Sequence, residues 1–456
     1  MGKKYDFEYI IIGSGPAGTA AALTLSRSKK RIAIIERNFL GGANINTRDI
    51  PYAVSLDSAK LYHTIETSPI YQNQDLTFSF PNAVSHQLRS VLKASEAHKA
   101  SLASSKIVHL NGLAHFIDNH TVALNSQRLT AENFILATGS TLKTSGINGT
   151  ETVSFLTPDT AIKIRRSPQV ALVAGAGPTG CEIAEYYANL GIKVILMESS
   201  SRILPREDKD VSEAISNHFI KDLGVMVLPN CKVVALEQDN KSKKVIFQNA
   251  RTEKLVRVDC IVLATGSEPY LDYGLENAGV KYKNTGIKVN KLFQTSAKNI
   301  YAVGDCIGEE SSTERAEYEG TLLAMNLINH SKNLANYRGF ARTINISPEI
   351  VTVGFNEDDL TKRDRKYKKA IVNVSDIPAG ILHDQRFGFV KLIADKTNHI
   401  IGATIVAPNA SEMAAELSLC IRHNLTVLEL ASTPHPANNY SQAIKLAAKK
   451  LLEKKK

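Results

Sequence analysis

The sequence predicts an α/β protein with two Rossmann-like nucleotide-binding domains and a C-terminal α+β domain, and three observations support this prediction. Two glycine-rich fingerprints each follow an apolar run and precede a carboxylate at a fixed offset. Two nearly identical apolar segments occur, one in each half of this region. After the second segment, the pattern changes from alternating strands and helices to strands followed by helices, which is typical of a separate α+β module.

The first fingerprint follows an apolar run at residues 10–12, and a second apolar run at residues 32–35 ends in an acid. The glycines of such a motif allow a tight turn, close approach of the backbone to a pyrophosphate, and close packing of a helix on a strand. The acid accepts hydrogen bonds from ribose hydroxyls. The sequence therefore predicts a dinucleotide site formed by Gly13, Ser14, Gly15, Pro16, Ala17, Gly18, Glu36 and Arg37.

The second fingerprint follows the apolar run at residues 170–174 and keeps the same offset of 23 residues from the first glycine to the acid. One GxGxxG motif is weak evidence, because glycine-rich turns often contain it. Two copies in which strand, glycines, helix and acid recur in register indicate that the chain binds two dinucleotides. The second site is predicted to consist of Gly175, Gly177, Pro178, Thr179, Gly180 and Glu198.

The domain organisation follows from the repeated ending Leu-Ala-Thr-Gly-Ser at residues 136–140 and 263–267, which indicates an internal duplication. In the last part of the chain, β-patterned segments at residues 350–355 and 389–394 precede a helical pattern at 411–422. We predict a first nucleotide-binding domain at residues 1–150 and 269–340, a second at 151–268, and an interface domain at 341–456.

The composition is that of a globular protein, with 456 residues, 43% of them hydrophobic and 22% charged. The net charge of +10 is spread along the chain apart from a short tail, Lys449, Lys450 and residues 454–456. Anionic dinucleotides and substrates are a sufficient reason for this charge, so we predict no nucleic-acid partner. No apolar run is long enough to span a bilayer and no signal peptide precedes the first strand, which predicts a cytoplasmic protein.

The cysteines have neither CxxC nor metal-ligand spacing. An odd, dispersed set in a cytoplasmic chain predicts reduced, mostly buried thiols, with no disulfide framework and no metal site. The five are Cys181, Cys231, Cys260, Cys306 and Cys420.

Together these segments resemble the pyridine nucleotide-disulfide oxidoreductases, the group of dihydrolipoamide dehydrogenase, glutathione reductase, mercuric reductase and soluble transhydrogenase. The likeness covers essentially the whole chain. Its most specific parts are the two fingerprints, the two Ala-Thr-Gly segments, Tyr-Ala-Val-Gly-Asp at residues 301–305, and the run at residues 401–412. The resemblance implies that the first fingerprint holds FAD, that the second holds NADH or NADPH, and that the last domain forms a homodimer.

The resemblance also implies roles for single residues. Ala114 would line the adenine pocket, Asp305 would bind the ribityl chain, and Thr313 would open a helix whose N-terminus faces the flavin pyrimidine edge. A plain N-cap is the alternative for Thr313, and the two roles are compatible. The remaining cofactor-site residues that the resemblance implies are Gly42, Ala43, Thr138, Gly139 and Gly266.

The second site is expected to prefer NADH over NADPH. Glu198 would accept a hydrogen bond from a ribose 2′-hydroxyl and repel a 2′-phosphate. Three serines follow it, and Arg202 is the first basic residue after them. Pro178 follows the second glycine, where the family sets access of the nicotinamide, so no aromatic gate is expected there.

The chain departs from the family at the redox cysteines. Family members that perform dithiol chemistry have Gly-Gly-Thr-Cys, four residues, then Cys-Ile-Pro, whereas residues 41–51 are Gly-Gly-Ala-Asn-Ile-Asn-Thr-Arg-Asp-Ile-Pro. Asn44 and Asp49 therefore stand at the two cysteine positions, and neither supports thiolate chemistry. Cys306 follows Asp305 near the expected flavin, and a structural thiol is the preferred interpretation.

Two further departures concern charge. The family has a lysine just after Ile-Pro that pairs with a glutamate, and Tyr52 and Ala53 stand at those positions here. The glutamate survives as Glu182, and we predict that Arg48 pairs with it in place of the lysine. The family histidine, supplied across the dimer interface as an acid/base, survives as His435. Gln442 falls where the glutamate that orients the histidine is expected, so the imidazole would lose its carboxylate partner.

We predict an FAD-dependent NAD(P)H oxidoreductase that passes electrons from NADH through FAD to a non-disulfide acceptor such as a quinone, oxygen or a second nicotinamide. Asp49 is the candidate acid/base, and the alternative is that it only fills the space of the missing thiol. The enzymatic rival is a soluble transhydrogenase, which Glu198 disfavours. A rival of another class is a catalytically degenerate cofactor-binding sensor or interaction protein, which the completeness of both nucleotide sites disfavours.

Overall fold

The structure is a computed structural model and describes residues 5–71, 76–144, 146–239, 242–308, 312–385 and 387–453. Residues 454–456, the end of the basic tail noted in the sequence, lie outside the described residues. No helix among the described residues is long and apolar enough to cross a membrane. The chain forms two compact units, Met1–Ser55 with Pro81–Lys143 and Gly266–Asn336, and Leu56–Phe80 with Thr144–Thr265 and Tyr337–Lys456.

The elements are numbered here in chain order. The strands are β1 Phe7–Ile12, β2 Ile32–Glu36, β3 Val108–Asn111, β4 Ala114–Asp118, β5 Thr121–Leu124, β6 Gln127–Leu136, β7 Ser140–Leu142, β8 Val170–Ala174, β9 Lys193–Met197, β10 Met226–Leu228, β11 Cys231–Asp239, β12 Ser242–Asn249, β13 Thr252–Val258, β14 Cys260–Leu263, β15 Ser267–Pro269, β16 Tyr282–Lys283, β17 Gly286–Ile287, β18 Ile300–Ala302, β19 Ala341–Ile344, β20 Glu349–Gly354, β21 Lys368–Asn373, β22 Phe389–Ala394 and β23 Ile400–Ala407. The helices are α1 Pro16–Leu25, α2 Gly42–Asn46, α3 Asp49–Thr67, α4 Phe80–Ser104, α5 Pro158–Ala161, α6 Pro178–Asn189, α7 Lys209–Lys221, α8 Thr313–Asn329, α9 Glu357–Lys362, α10 Pro378–Leu382, α11 Ala410–Arg422, α12 Val427–Ser432 and α13 Gln442–Glu453.

The first unit is built on a sheet with the strand order β3-β2-β1-β6-β5-β4, and β18 also pairs with β6. β3, β2, β1, β18 and the second half of β6 run parallel, whereas β4, β5 and the first half of β6 form an antiparallel meander. Apolar clusters cover both faces of the sheet, with Ile10 on one side and Ile11 on the other. A strand buried on both faces is apolar throughout, which explains the unbroken apolar runs of the sequence.

The second unit contains a parallel sheet of the order β10-β9-β8-β14 and an antiparallel sheet β11-β12-β13. In the first unit, β1 precedes the glycine turn and lies between β2, which leads to the acid, and β6, which leads to the repeated Ala-Thr-Gly segment. In the second unit, β8 lies in the same way between β9 and β14. The prediction of two Rossmann-like nucleotide-binding folds is therefore confirmed.

The second unit also contains the C-terminal domain, an antiparallel sheet of the order β19-β20-β23-β22-β21. Its apolar core includes residues of the sheet and of α11, α12 and α13, such as Val351, Leu417 and Ile444. Strands followed by helices were predicted here, and the α+β architecture is confirmed. In the first unit, the helix that Thr313 was expected to open is confirmed as α8.

Candidate active site

The first glycine turn leaves open space at one of its three glycines. Gly13 has a φ of +104°, and an added Cβ would lie 2.2 Å from the carbonyl oxygen of Ala137. A Cβ on Gly18 would lie 2.0 Å from the carbonyl oxygen of Gly13, whereas one on Gly15 would meet no atom within 4 Å. Gly13 and Gly18 are therefore required for packing, and the surface beside Gly15 is free for a pyrophosphate to approach the backbone.

The second glycine turn has the same geometry. A Cβ on Gly175 would lie 2.4 Å from Ala264 O, and a Cβ on Gly180 would lie 1.8 Å from Gly175 O. A Cβ on Gly177 would meet nothing within 4 Å. α1 and α6 begin just after Gly15 and Gly177, with no side chain capping their first turn. Their free amides suit an anionic phosphate, so both turns fit a dinucleotide.

Glu36 ends β2 beside the first turn and is 8% exposed. Its Oε2 accepts hydrogen bonds from Ser14 N (3.0 Å) and Ser14 Oγ (2.7 Å), and its Oε1 accepts one from Asn38 N (2.9 Å). These donors fix the carboxylate at the carboxyl ends of the parallel strands, where a ribose is bound in such sheets.

Glu198 follows β9 beside the second turn and is held in the same way. Its Oε2 accepts a hydrogen bond from Ala176 N (2.8 Å), and its Oε1 accepts from Ser200 N (2.7 Å) and Ser199 Oγ (3.1 Å). In each turn the residue after the first glycine thus donates its amide to the acid. The sequence predicted the acids but not this contact.

Ser14 links the first turn to the segment at residues 41–49, which contains Asn44 and Asp49. Its buried hydroxyl donates to Glu36 and accepts a hydrogen bond from Gly41 N at 3.1 Å. A Cβ on Gly42 would lie 2.7 Å from Gly15 Cα, so this loop packs directly on the turn. The Asn46 amide donates to Leu40 O and Gly42 O, which fixes the loop further. Ala43 lies exposed in the short helix α2.

Asn44, Asp49 and Thr313 form a hydrogen-bonded network in the first unit. Asp49 Oδ2 accepts from Asn44 Nδ2 at 2.7 Å and from Thr313 Oγ1 at 2.5 Å, and Asn44 Nδ2 lies 3.4 Å from Thr313 Oγ1. The predicted alternative that Thr313 is an N-cap is wrong, because Ser312 caps α8 by accepting from Arg315 N. Thr313 is the first helical residue, and its hydroxyl is available to bind Asp49.

The other predicted residues of the first site lie after parallel strands of the same sheet. Thr138 Oγ1 donates to Tyr270 O (3.2 Å), and Asp305 Oδ2 accepts from Ser140 Oγ (2.9 Å). Arg37 stacks on the Tyr270 ring at 4.0 Å. These contacts of Ser140 and Tyr270 could not be predicted from the sequence, because their partners are distant along the chain.

The remaining three predicted cofactor-site residues are Gly139, Gly266 and Ala114. A Cβ on Gly139 or Gly266 would meet nothing within 4 Å, and both glycines have a positive φ. The side chain of Ala114 is 2% exposed and packs in the core. A nucleotide at this strand would therefore meet the backbone of Ala114 rather than its methyl group.

Glu182 and Glu185 occupy successive turns of α6 and accept backbone hydrogen bonds. Glu182 Oε1 accepts from Asn345 N at 2.9 Å, and the Glu185 carboxylate accepts from Ser347 N at 2.9 and 3.0 Å. Burial raises the pKa of Glu185 to about 8. Glu185 is a further residue that was not predicted from the sequence, and the pairing of Arg48 with Glu182 stays a prediction.

His435 has a carboxylate partner that differs from the predicted one. Its Nε2 lies 3.0 Å from Glu416 Oε1, and its Nδ1 lies 2.9 Å from Thr433 O. The expectation that Gln442 replaces the orienting glutamate is therefore corrected, since Glu416 on α11 supplies a carboxylate from the preceding part of the chain. Both ring nitrogens of His435 therefore face an oxygen atom, a carboxylate at Nε2 and a backbone carbonyl at Nδ1.

The loop after Glu198 is held against the C-terminal domain by ion pairs. Arg202 Nη2 contacts Asp358 Oδ2 at 2.5 Å, and the fully buried Lys391 Nζ contacts Asp208 (2.6 Å), Asp210 (2.9 Å) and Glu357 (3.0 Å). These three acids form the one cluster in the described part of the chain that is spaced for a metal ion. Because the ammonium group of Lys391 already contacts all three, the cluster is explained as an ion-pair network.

This network predicts an acid-sensitive contribution to stability. Burial raises the pKa of Glu357, but hydrogen bonds from Lys369, Tyr367 and Lys391 outweigh it and lower the pKa to about 2. A depressed pKa stabilises the folded state above the unfolded value of 4.5, so this contribution is lost as the pH falls from about 5 towards 2. Glu357→Gln is expected to destabilise the protein by about 2 kcal/mol at pH 7 and to flatten this pH dependence, measured by urea unfolding.

The control for this prediction is Asp359→Asn, which removes an acid from the same first turn of α9 without touching Lys391. An equal loss of stability in both variants would contradict the role of the Lys391 network.

All five cysteines lie within the described residues, and they are buried and unpaired with one another. Burial raises the pKa of Cys306 to about 12, and its Sγ lies 3.2 Å from Val303 O. Burial likewise raises the pKa of Cys420 to about 11. A thiol that stays protonated is a poor nucleophile, which supports the structural interpretation of Cys306.

Comparison with known proteins gives one consistent result. Residues 7–320 match the model of a family described as pyridine nucleotide-disulphide oxidoreductase, and residues 340–448 match the dimerisation domain of that family. A mercuric reductase of Staphylococcus aureus is 28% identical over 455 residues, 97% of this chain and 82% of the relative. A dihydrolipoyl dehydrogenase of Corynebacterium glutamicum is 28% identical over 459 residues, 97% of each chain.

A third relative and two solved structures extend this comparison. A soluble pyridine nucleotide transhydrogenase of Colwellia psychrerythraea is 27% identical over 424 residues, 91% of this chain and 90% of the relative. The copper(II) complex of the HOCl-induced flavoprotein disulfide reductase RclA from Escherichia coli has a TM-score of 0.89 at 23% identity, covering 98% of this chain and 100% of that one. LpdA from Mycobacterium tuberculosis has a TM-score of 0.88 at 24% identity, covering 97% and 99%. These two structures share the fold.

Proposed function

Because the chain belongs to the pyridine nucleotide-disulphide oxidoreductase family, we propose that it is an FAD-dependent NADH oxidoreductase that reduces a small non-disulfide acceptor directly. The observation that carries this proposal is the network of Asn44, Asp49 and Thr313. The resemblance implies that Asn44 and Asp49 occupy the positions of the redox cysteines in dithiol members of the family. A quinone, oxygen or a second nicotinamide is the proposed class of acceptor, and no redox disulfide takes part.

Members of this family bind FAD and use NAD(P)H. The bound flavin supplies the chemistry of accepting hydride from the nicotinamide and releasing electrons to the acceptor. In the proposed site, the open surface at Gly15 and the start of α1 receive the pyrophosphate, and Glu36 binds the adenosine ribose. Asp305 would hold the ribityl chain, and the N-terminus of α8 at Thr313 would supply partial positive charge beside the flavin pyrimidine edge.

Asp49 is proposed as the acid/base of the acceptor half-reaction. Asn44 and Thr313 both donate to Asp49 Oδ2, so they orient the carboxyl group, and neither of these two hydrogen bonds uses Oδ1. In its protonated form Asp49 would give a proton to an oxygen of a reduced acceptor, and in its ionised form it would take one up from solvent. Asn44 and Thr313 are positioning residues in this scheme.

NADH is the proposed electron donor. The buried carboxylate of Glu198 suits a ribose 2′-hydroxyl and opposes a 2′-phosphate, and Ser199 and Ser200 bind that same carboxylate. Arg202, the basic residue that left NADPH open in the sequence, is engaged by Asp358. The contacts of both residues therefore support NADH.

Glu198→Gln is expected to weaken NADH binding by about tenfold. The amide keeps the shape of the side chain but removes the negative charge and one acceptor oxygen, which a ribose hydroxyl and Ala176 N both use. The measurement is KM for NADH together with the rate of flavin reduction. Glu213→Gln is the control, because Glu213 is an exposed acid on α7 whose carboxylate contacts Lys209 of the same helix at 3.4 Å. Unchanged NADH binding in Glu198→Gln would contradict the assigned site.

The proposal includes a homodimer that uses the C-terminal domain and supplies His435 across the interface. It also assigns the protein to the cytoplasm, where buried thiols remain reduced. The transhydrogenase of Colwellia psychrerythraea favours a second candidate function, in which one nicotinamide reduces the flavin and another reoxidises it. That function predicts reduction of a thio-NAD analogue by NADPH.

The direct test is anaerobic titration of the purified flavoprotein with NADH, followed by separate addition of quinones, oxygen, lipoamide and oxidised glutathione. We expect NADH to bleach the flavin absorbance, and a quinone or oxygen to restore it. Reoxidation by lipoamide or glutathione alone would contradict the proposed acceptor class. NADH binding without bleaching would favour a cofactor-binding sensor instead.

A further inference from the structure

Arg202 lies in the loop that follows Glu198, four residues further along the chain. Leu204 N of this loop donates to Ala176 O, and Ala176 N donates to Glu198, so the loop closes back onto the second glycine turn. A guanidinium group in such a loop is the type of side chain that binds a nucleotide 2′-phosphate with strong, charge-assisted hydrogen bonds. Its contacts therefore bear on which dinucleotide the site accepts.

Among the residues that the structure describes, the Arg202 guanidinium has one charged partner, and its other partners are neutral. Nη2 contacts Asp358 Oδ2 at 2.5 Å, Glu207 O at 3.0 Å and Pro205 O at 3.5 Å. The carbonyl oxygens carry no net charge. Asp358 thus provides the whole of the anionic contact that keeps Arg202 in this position.

The neighbouring acids are committed to other groups. The Glu207 carboxylate binds Thr352 Oγ1 at 2.5 Å and Arg342 at 3.5 Å. Asp208 binds Lys391 and accepts the amides of Glu357 and Asp358 at the start of α9. With Asp358 neutralised, the described contacts offer Arg202 no second carboxylate, and the most favourable new partner is a phosphate dianion at the adjacent nucleotide site.

We propose that Asp358 is a specificity-determining residue, which holds Arg202 away from the 2′-phosphate position and so makes the site select NADH. This inference rests on the proposed NADH site at Glu198. It adds a residue of the C-terminal domain, 156 positions from Arg202 in sequence, to the determinants of nucleotide choice. Glu198 repels a 2′-phosphate, and Asp358 withholds the cation that would compensate for this repulsion.

The test measures binding rather than turnover, with FAD-loaded protein and two ligands that carry no hydride, ADP-ribose and its 2′-phosphate. Calorimetry is applied to wild type, Asp358→Asn, Asp358→Asn/Arg202→Ala, and Asp359→Asn as the control on the same turn of α9. We expect Asp358→Asn to bind the 2′-phosphorylated ligand about tenfold more tightly, with its ADP-ribose affinity unchanged. The double variant is expected to lose this gain, and Asp359→Asn to match wild type within about twofold.

The outcomes separate this inference from the function on which it rests. A 2′-phosphate affinity that does not rise in Asp358→Asn, or a rise that persists without Arg202, overturns the role of Asp358 while leaving the NADH site intact. Wild type that fails to bind ADP-ribose overturns both. The single variant Arg202→Ala gives an independent check. If Asp358 holds Arg202 away from the 2′-phosphate in wild type, removing Arg202 leaves the affinity for the 2′-phosphorylated ligand unchanged. A weaker affinity in Arg202→Ala overturns the inference.

Discussion

Asp49→Asn is expected to lower turnover with a quinone or oxygen by about 10²- to 10³-fold, the range typical of a lost general acid/base. Reduction of the flavin by NADH should remain within about twofold of wild type, because the proposed nicotinamide contacts belong to Glu198 and the second glycine turn. Asparagine keeps the shape of the side chain and its contact with Thr313 Oγ1, but it has no titratable proton. Stopped-flow spectroscopy of the two half-reactions separates the effects.

Two variants control this prediction. Asp57→Asn changes an exposed acid on the same helix, α3, and should leave both half-reactions unchanged. Thr313→Val removes the hydroxyl that orients Asp49 and should give a smaller loss with the same sign. If Asp49→Asn oxidises its reduced flavin as fast as wild type does, Asp49 only fills the space of the missing thiol.

Gly15→Ala and Gly18→Ala are expected to fail in different ways, although each adds one methyl group to the same turn. Gly15 has a φ of −65°, which alanine adopts freely, and its Cβ would meet no protein atom within 4 Å. The apoprotein should therefore keep its stability within about 1 kcal/mol. The methyl group would occupy the approach of the pyrophosphate, so FAD affinity should fall by about 100-fold or more, equivalent to about 2.7 kcal/mol.

Gly18→Ala should instead destabilise the fold itself. Its Cβ would lie 2.0 Å from Gly13 O and 3.1 Å from the Ile11 side chain, so the backbone must move, at a cost of about 3 kcal/mol. Urea unfolding of the apoproteins and their FAD content after purification distinguish the two variants. Normal FAD content in Gly15→Ala would show that the pyrophosphate binds elsewhere, and unchanged stability in Gly18→Ala would contradict the packing of this turn.

The parts of the site that depend on nearby residues were predictable. Gly13, Gly15 and Gly18 lie within one turn, and Glu36 ends the next strand, so their relative positions follow from local periodicity and the right-handed βαβ connection. The second fingerprint gave the same information for Gly175 and Glu198. The prediction of the α+β domain succeeded for the same reason, because a change of hydrophobic period is visible in a short window.

Contacts between distant residues could not be predicted in this way. Thr313 meets Asp49 across 264 residues, and Arg202 meets Asp358 across 156. His435 contacts the carboxylate of Glu416, which lies 19 residues earlier on a neighbouring helix, whereas the spacing after His435 indicated Gln442. No periodicity connects such residues, and one sequence without an alignment carries no covariation between them.

The sequence by itself therefore determined that this protein has two glycine turns with matched acids, a duplicated nucleotide-binding fold, and no cysteine at positions 44 and 49. These properties reside in residue identity and local spacing. Only the tertiary structure decided that Asp49 receives hydrogen bonds from Asn44 and Thr313, that Arg202 is held by Asp358, and that His435 meets Glu416. Such pairings depend on how strands and helices pack, because packing brings together side chains that the chain itself keeps apart.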